Sequence, residues 1–260
     1  MDPDEVVRLV EELKISTCHE EEQTLTIDTD ALQIGEQRTG SCLVAKIFSP
    51  KAINREAVIS HLPRILQAIK HIEICSVGDN LFILDFKSLQ DRKQAFSGGP
   101  WNIFRNLIVF RELCGLQNVT AMNFDTMPIW IQCYNLPLVL MHKDFLQKLG
   151  SQLGDVEEID TRENGFSMGK FARLRVRLDL RQPLKKHIRL KIQSGQEDVF
   201  VLLSYERLPD FCHNCGIIGH SFRDCENSWL EKGKLTYDSW LKAPLRGSGP
   251  KAKYPNSPPS

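Results

Sequence analysis

The chain has 260 residues, of which 42% are hydrophobic and 25% are charged. This length allows one large or two small domains, and the composition is that of a globular protein. No apolar run approaches the roughly eighteen residues of a membrane span, and the acidic N-terminus MDPDEVVRLV lacks the basic start of a secretory signal. We therefore expect a protein of the nucleus or cytoplasm, not secreted, with no membrane partner and with reduced cysteines.

The formal net charge of zero conceals two segments of opposite sign. Residues 1–40 carry eleven acidic and three basic side chains, whereas residues 170–191 carry nine basic and one acidic. The distribution predicts an acidic N-terminal segment, with one helix suggested by DPDEVVRLVEELK, and a basic surface later in the chain.

Residues 41–115 are predicted to form a first βαββαβ unit. Period-two and helical hydrophobic patterns, bounded by turn residues, predict four strands and two helices. The strands are 42–49, 71–78, 80–87 and 103–113, and the helices are 88–99 and 54–70, the latter kinked at Pro63. This order is that of a ferredoxin-like domain, the architecture of RNA-recognition modules.

The open face of this first sheet is predicted to be a poor surface for RNA. In NLFILDFK successive side chains alternate between the two faces of the sheet. The predicted core face carries Phe82, Leu84 and Phe86, and the predicted open face carries Leu81, Ile83 and Asp85. RNA-recognition modules stack bases on aromatic side chains of the open face. We therefore expect another element or a partner to cover this face, and hypothesise self-association through residues 41–115.

Residues 125–208 are predicted to form a second unit of the same order. Its predicted strands are 127–137, 156–164, 170–180 and 197–208, and its predicted helices are 142–154 and 183–192. The fold class is therefore α+β, with two tandem ferredoxin-like units, resembling RNA-recognition modules, before the cysteine-rich end of the chain.

The second sheet is predicted to carry aromatic and basic side chains on one face. If 127–135 and 170–180 are neighbouring central strands, alternation brings together Trp130, Gln132, Tyr134, Phe171, Arg173, Arg175 and Arg177. Each base stacked on such a face would contribute about 1–3 kcal/mol. Two other interpretations remain: the aromatic side chains pack against the other domain, or the arginines only form a solvated face.

Residues 209–228 contain FCHNCGIIGHSFRDC, in which Cys212, Cys215, His220 and Cys225 are spaced C-x2-C-x4-H-x4-C. Three thiolates and one imidazole fill the tetrahedral shell of one Zn²⁺ and leave no open position, which favours a structural site over hydrolysis. So short a segment cannot bury a core, so the metal must stabilise it, by roughly 10–16 kcal/mol.

This spacing, with Gly216 and Gly219, resembles the zinc knuckle of retroviral and retrotransposon nucleocapsid proteins. The resemblance implies binding of unpaired bases beside basic side chains. Knuckles of this kind usually carry an aromatic residue directly after the first cysteine, where this chain has His213. His213 can stack on a base or serve as an alternative ligand, and Phe222 and Arg223 are further candidate contacts.

Three segments resemble a plant family of retrotransposon-derived, Gag-like zinc-knuckle proteins, similar to the first open-reading-frame product of plant LINE-type elements. The segments are GGPW (98–101), YERLPDFCHNCGIIGH (205–220) and YDSWLKA (237–243). The family carries an N-terminal domain of unknown function. The resemblance implies nucleic-acid binding without catalysis and contributes no catalytic residue.

The sequence therefore predicts a zinc-dependent, non-catalytic protein that binds single-stranded nucleic acid, RNA rather than DNA. The chain has no nucleotide-binding or metalloprotease motif, which argues against an enzyme and against a small-molecule substrate. The alternative is a protein-interaction module in which the knuckle is structural. Residues 229–260, rich in proline, glycine and serine, are predicted to be a disordered tail that either binds phosphate weakly or only adds solubility.

Overall fold

The computed structural model describes residues 8, 9, 12, 25–191, 197–225 and 236–244. The chain divides into two compact units, residues 1–98 with 108–124 and residues 99–107 with 125–260. Most of the predicted helix in DPDEVVRLVEELK, and the predicted tail apart from 236–244, lie outside the described residues. Among the described helices, none is long and apolar enough to cross a membrane.

The acidic segment contains helix α1, Thr29–Thr39, whose first turn is capped by Asp28. The Asp28 carboxylate accepts a hydrogen bond from the backbone N–H of Ala31 at 2.7 Å, which satisfies one of the unpaired donors at the helix start. No residue of α1 is buried.

The first sheet contains five strands in the spatial order β2-β3-β1-β5-β4. Its elements are β1 Cys42–Phe48, α2 Arg55–Ile65, β2 Ile72–Gly78, β3 Leu81–Phe86, α3 Leu89–Ser97, β4 Trp101–Ile103 and β5 Asn106–Glu112. Without β4, these elements follow the predicted order of four strands and two helices. The short edge strand β4 was not predicted because its three residues are too few to show a period.

Helix α2 ends at Ile65, five residues earlier than predicted. Pro63 lies inside the helix, where it donates no backbone hydrogen bond, and Gln67 adopts a left-handed φ of 56° just beyond. The chain is then held by Asp91, whose carboxylate accepts hydrogen bonds from the N–H groups of Ile69 and Lys70 at 3.1 and 2.9 Å. Asp91 is only 4% exposed.

The predicted division of strand β3 into two faces is confirmed for its core side. Phe82, Leu84 and Phe86 are all buried. On the opposite face Ile83 is half-buried, but Val44, its partner on β1, is fully buried. This face is therefore covered near its centre, as expected from its aliphatic character, and self-association through it stays a prediction.

The second sheet also contains five strands, in the order β7-β8-β6-β10-β9. Its elements are β6 Thr126–Tyr134, α4 Lys143–Ser151, β7 Asp155–Ile159, β8 Phe171–Asp179, β9 His187–Leu190 and β10 Val199–Tyr205. Strand β8 alternates as predicted, with Ala172, Leu174 and Val176 fully buried.

The predicted second helix of this unit is wrong. Residues 180–186 contain no helix, and His187–Leu190 forms the edge strand β9, antiparallel to β10. The segment HIRL alternates with a period of two, and Ile188 pairs with Val201 across the sheet. The two units therefore share their strand order but differ in their helices.

We predict that Asp91→Ala destabilises the first unit by about 1–3 kcal/mol, because two backbone N–H groups lose their acceptor in a buried position. Urea unfolding, with hydrogen exchange at Ile69 and Lys70 as the local probe, measures this loss. Asp79→Ala, which removes an exposed carboxylate, is the control. Equal stability of the two variants would contradict the role of Asp91.

Candidate metal centre and nucleic-acid interface

The four predicted metal ligands lie together at the end of the second unit. The donor atoms of Cys212, Cys215, His220 and Cys225 all lie within 4.8 Å of one another. The Cys215 sulfur is 3.3 Å from Nε2 of His220. Tetrahedral Zn²⁺ with bonds of about 2.0–2.3 Å separates its ligands by roughly 3.5–3.8 Å, so this cluster needs only small movements to hold the ion.

The chemistry of the donors also fits a metal. Burial, opposed by the hydrogen bond from the Ile217 N–H and reinforced by the neighbouring Cys212 and Cys225 sulfurs, raises the pKa of the Cys215 thiol to about 11. Asn214 donates a hydrogen bond to the Cys225 sulfur at 3.6 Å. Three thiols so close together can all lose their protons only if a cation balances the charge, and a bound metal would supply that cation.

Two turns of the segment from Cys212 to Cys225, which we call the metal loop, depend on glycine. Gly216 and Gly219 have φ angles of 77° and 102°, a region that side chains strongly disfavour. The Gly216 N–H donates to the Cys212 carbonyl at 2.8 Å, and the Cys212 N–H donates to the Ile217 carbonyl at 2.9 Å. The sequence spacing therefore folds into a tight turn that directs the first two cysteines toward the same point.

The knuckle is attached to the second sheet. The Leu184 N–H, from the loop before β9, donates to the Gly216 carbonyl at 3.0 Å. Phe211 and Ile218 form an isolated bridge, and both are buried. The metal loop therefore packs against the rest of the second unit.

Residues 236–244, which we call the strap, join the knuckle to β10. The Tyr237 N–H donates to the His213 carbonyl at 3.0 Å, and the Ala243 N–H donates to the Tyr205 carbonyl at 2.9 Å. Between these points the Ser204 hydroxyl donates to the Trp240 carbonyl at 3.0 Å, and Leu241 is completely buried. The strap contains the YDSWLKA segment (237–243) singled out in the sequence.

The three candidate contact residues of the knuckle have different surroundings. Phe222 is 57% exposed and Arg223 is also exposed, so both are accessible to a ligand. His213 is half-buried: its Nδ1 lies 2.8 Å from the Tyr237 carbonyl, and its ring is 4.7 Å from that of Phe211. His213 therefore contacts the strap, and it is not part of the four-donor cluster.

The predicted neighbour relation of the two central strands is confirmed. Strands β6 and β8 are antiparallel, and their open faces align in register, pairing Trp130 with Arg175, Gln132 with Arg173, and Tyr134 with Phe171. The guanidinium of Arg173 lies 3.6 Å from the centre of the Trp130 ring, and the Tyr134 and Phe171 rings are 5.0 Å apart.

The arginines of this face are paired with carboxylates of the same unit. Arg173 makes two hydrogen bonds of 2.8 Å to Glu206, and each side chain is only 17% exposed. Arg175 and Arg177 both bind Glu157. Since these carboxylates neutralise much of the local charge, a phosphate group would have to displace one of them.

Glu206 also orders the polar side chains beside Arg173. Its carboxylate accepts a hydrogen bond from the Gln132 amide at 2.8 Å, and the Gln132 carbonyl oxygen accepts one from the Tyr134 hydroxyl at 2.6 Å. Gln132 is only 2% exposed. The four side chains therefore form one connected network on the face that was predicted to be open.

Sequence reasoning did not identify Glu206, Glu157 or Tyr237 as part of the site. The two glutamates come from β7 and from the turn after β10, so only the sheet order brings them to the arginines. A signal for Tyr237 was present in the YDSWLKA resemblance, but its contact with the knuckle depends on tertiary structure.

Two family models match parts of the chain: a zinc knuckle over residues 178–227 and a domain of unknown function (DUF4283) over residues 35–113. The chain is also similar to an uncharacterised protein of Arabidopsis thaliana, with 22% identity over 132 residues. That match covers 51% of this chain and 41% of the relative, so less than half of the relative's length is represented.

Solved structures with some similarity include the C. elegans NONO-1 homodimer, at 15% identity and a TM-score of 0.23, covering 53% of this chain and 50% of that chain. The first two RRM domains of the yeast poly(U) binding protein match at 13% identity and a TM-score of 0.22, covering 52% and 81%. TM-scores this low do not establish a shared fold.

We predict that Glu206→Gln destabilises the second unit by about 2–3 kcal/mol, because the largely buried Arg173 would lose the carboxylate that accepts two of its hydrogen bonds and keep only Asp160, 3.3 Å away. Urea unfolding of the full chain measures the loss. Glu158→Gln, at an exposed position on β7, is the matched control. If the two variants unfold at the same urea concentration, the Glu206 network does not stabilise the fold.

Proposed function

We propose that this chain is a zinc-dependent, non-catalytic protein that binds single-stranded nucleic acid, RNA rather than DNA, in the manner of retrotransposon Gag-type proteins. The observation that carries the proposal is the cluster formed by Cys212, Cys215, His220 and Cys225. When Zn²⁺ occupies it, the ion has no open coordination position, so it supplies structure and no hydrolytic chemistry.

The surroundings of the knuckle support a polyanionic ligand. Three cationic side chains are exposed on or beside the knuckle: Arg207, Arg223 and Lys242. The Lys242 ammonium forms an ion pair with Asp210 at 3.0 Å. Exposed Phe222 adds an apolar surface on which a base can stack. Aromatic and cationic groups side by side are the usual elements of single-strand recognition.

The arginine face of β8 has a secondary role in this proposal. Arg173 and Arg175 are engaged with carboxylates, so they orient Trp130 and the neighbouring side chains more than they attract phosphate. Arg177 is the more exposed of the three arginines and is the best placed to exchange Glu157 for a phosphate group. The knuckle is therefore expected to contribute most of the affinity.

The proposal is tested by titrating the full chain with labelled single-stranded RNA, single-stranded DNA and duplex RNA over a salt series. We expect RNA single strands to bind best, with affinity that falls as salt rises, because cations that contact phosphates release counterions. A chelator should abolish most of the binding, and added Zn²⁺ should restore it.

Cys212→Ser should reproduce the chelator effect, and Cys75→Ser, at an exposed position on β2, should bind like the unaltered chain. Metal affinity, measured with Co²⁺ by its thiolate absorption, should fall by more than roughly 100-fold in Cys212→Ser, because loss of an outer-shell partner alone costs about 10–100-fold. RNA binding that is unchanged both by the chelator and by Cys212→Ser would contradict the proposal. It would favour a knuckle that contacts protein.

A further inference from the structure

The ring of Tyr237 lies directly against the metal loop. A Cβ atom added to Gly216 would overlap the ring carbons of Tyr237, so the ring occupies the space that only a glycine leaves. The backbone of Tyr237 is bonded to His213 in both directions: its N–H donates to the His213 carbonyl, and its carbonyl lies 2.8 Å from the His213 ring. Tyr237 is therefore fixed next to the residue after the first cysteine.

At that position the knuckles that this sequence resembles usually carry an aromatic residue, whereas this chain has His213. Here the His213 ring is held between Phe211 and the Tyr237 carbonyl, and both interactions lie within the unit. His213 is thus occupied in joining the strap to the knuckle. This contact between the strap and the knuckle places the phenol ring of Tyr237 beside the metal loop.

We propose that Tyr237 is a base-stacking residue of the knuckle, supplied from the strap in place of the missing aromatic of the metal loop. The inference rests on the proposed function and extends it to a residue outside the metal-binding motif. The ring stays half-buried, with Gly216 on one side. A base that stacks there adds to the apolar surface that Phe222 offers.

The charge around Tyr237 suits the same ligand. The Lys186 ammonium lies 5.2 Å from the centre of the Tyr237 ring and 3.3 Å from the Thr236 carbonyl oxygen. A cation held beside an aromatic ring can bind the phosphate of the nucleotide whose base stacks on that ring. Asp238 is the nearby acidic residue, and it caps the short 3-10 turn Ser239–Leu241 through the Ser239 N–H.

The variant that separates stacking from packing is Tyr237→Leu. Leucine keeps an apolar side chain against Gly216 but has no π face, so single-stranded RNA should bind about 5- to 100-fold more weakly. Tyr237→Phe keeps the ring and should bind RNA like the unaltered chain. Co²⁺ absorption and Zn²⁺ affinity should stay unchanged in both variants, because the four ligands are intact.

A direct readout is photo-crosslinking of the full chain to a single-stranded RNA that contains 5-iodouridine. Cleavage after Lys234 and Lys242 isolates residues 235–242, and fragmentation distinguishes a crosslink at Tyr237 from one at Trp240. We expect the crosslink at Tyr237 and its loss when zinc is removed.

Two results would overturn the inference and leave the proposed function intact: RNA binding of Tyr237→Leu equal to the unaltered chain, or a loss of RNA binding matched by an equal loss of Zn²⁺ affinity. The second result would mean that Tyr237 stabilises the folded metal loop and does not stack on a base. Failure of the unaltered, zinc-loaded chain to bind RNA would instead overturn the proposed function, and the inference with it.

Discussion

The attachment of the knuckle to the second unit depends on the close approach of other groups to the backbone of Gly216. The Gly216 N–H donates to the Cys212 carbonyl, and the Gly216 carbonyl accepts a hydrogen bond from the Leu184 N–H in the loop before β9. The missing side chain of Gly216 leaves room for the Tyr237 ring. The left-handed φ of 77° permits all three interactions at once. A metal loop that is too short to bury a core is thereby coupled to a sheet that already has one.

The charge of the second unit is distributed differently from what the sequence pattern implies. The excess of positive charge over residues 170–191 predicts a broad phosphate-binding surface, yet Glu157 and Glu206 neutralise the arginines of β8. Buried arginine–carboxylate pairs fix geometry more than they provide free charge. Arg207, Arg223 and Lys242 are exposed around the knuckle, so positive charge lies beside the four metal-binding side chains.

Local patterns predicted the features that depend on local chemistry. The ligand spacing predicted the donor cluster, and the alternation in FARLRVRLD predicted the buried and half-exposed faces of β8. Features that depend on distant contacts were missed: strand β9 replaced a predicted helix because its pairing with β10 outweighs the helical tendency of its lysines and leucines. Glu206 and Tyr237 were missed for the same reason, since each meets its partner only after the chain folds.

The central claim is that metal loop, strap and second sheet form one cooperative unit, and hydrogen exchange of the full chain with and without Zn²⁺ tests it most directly. The account predicts that chelation accelerates exchange at the Cys212, Tyr237 and Ala243 amides together, while strands β1 and β3 of the first sheet keep their protection. If chelation affects only amides between Cys212 and Cys225, and Tyr237 and Ala243 stay protected, the strap is held by the sheet alone and the claim is contradicted.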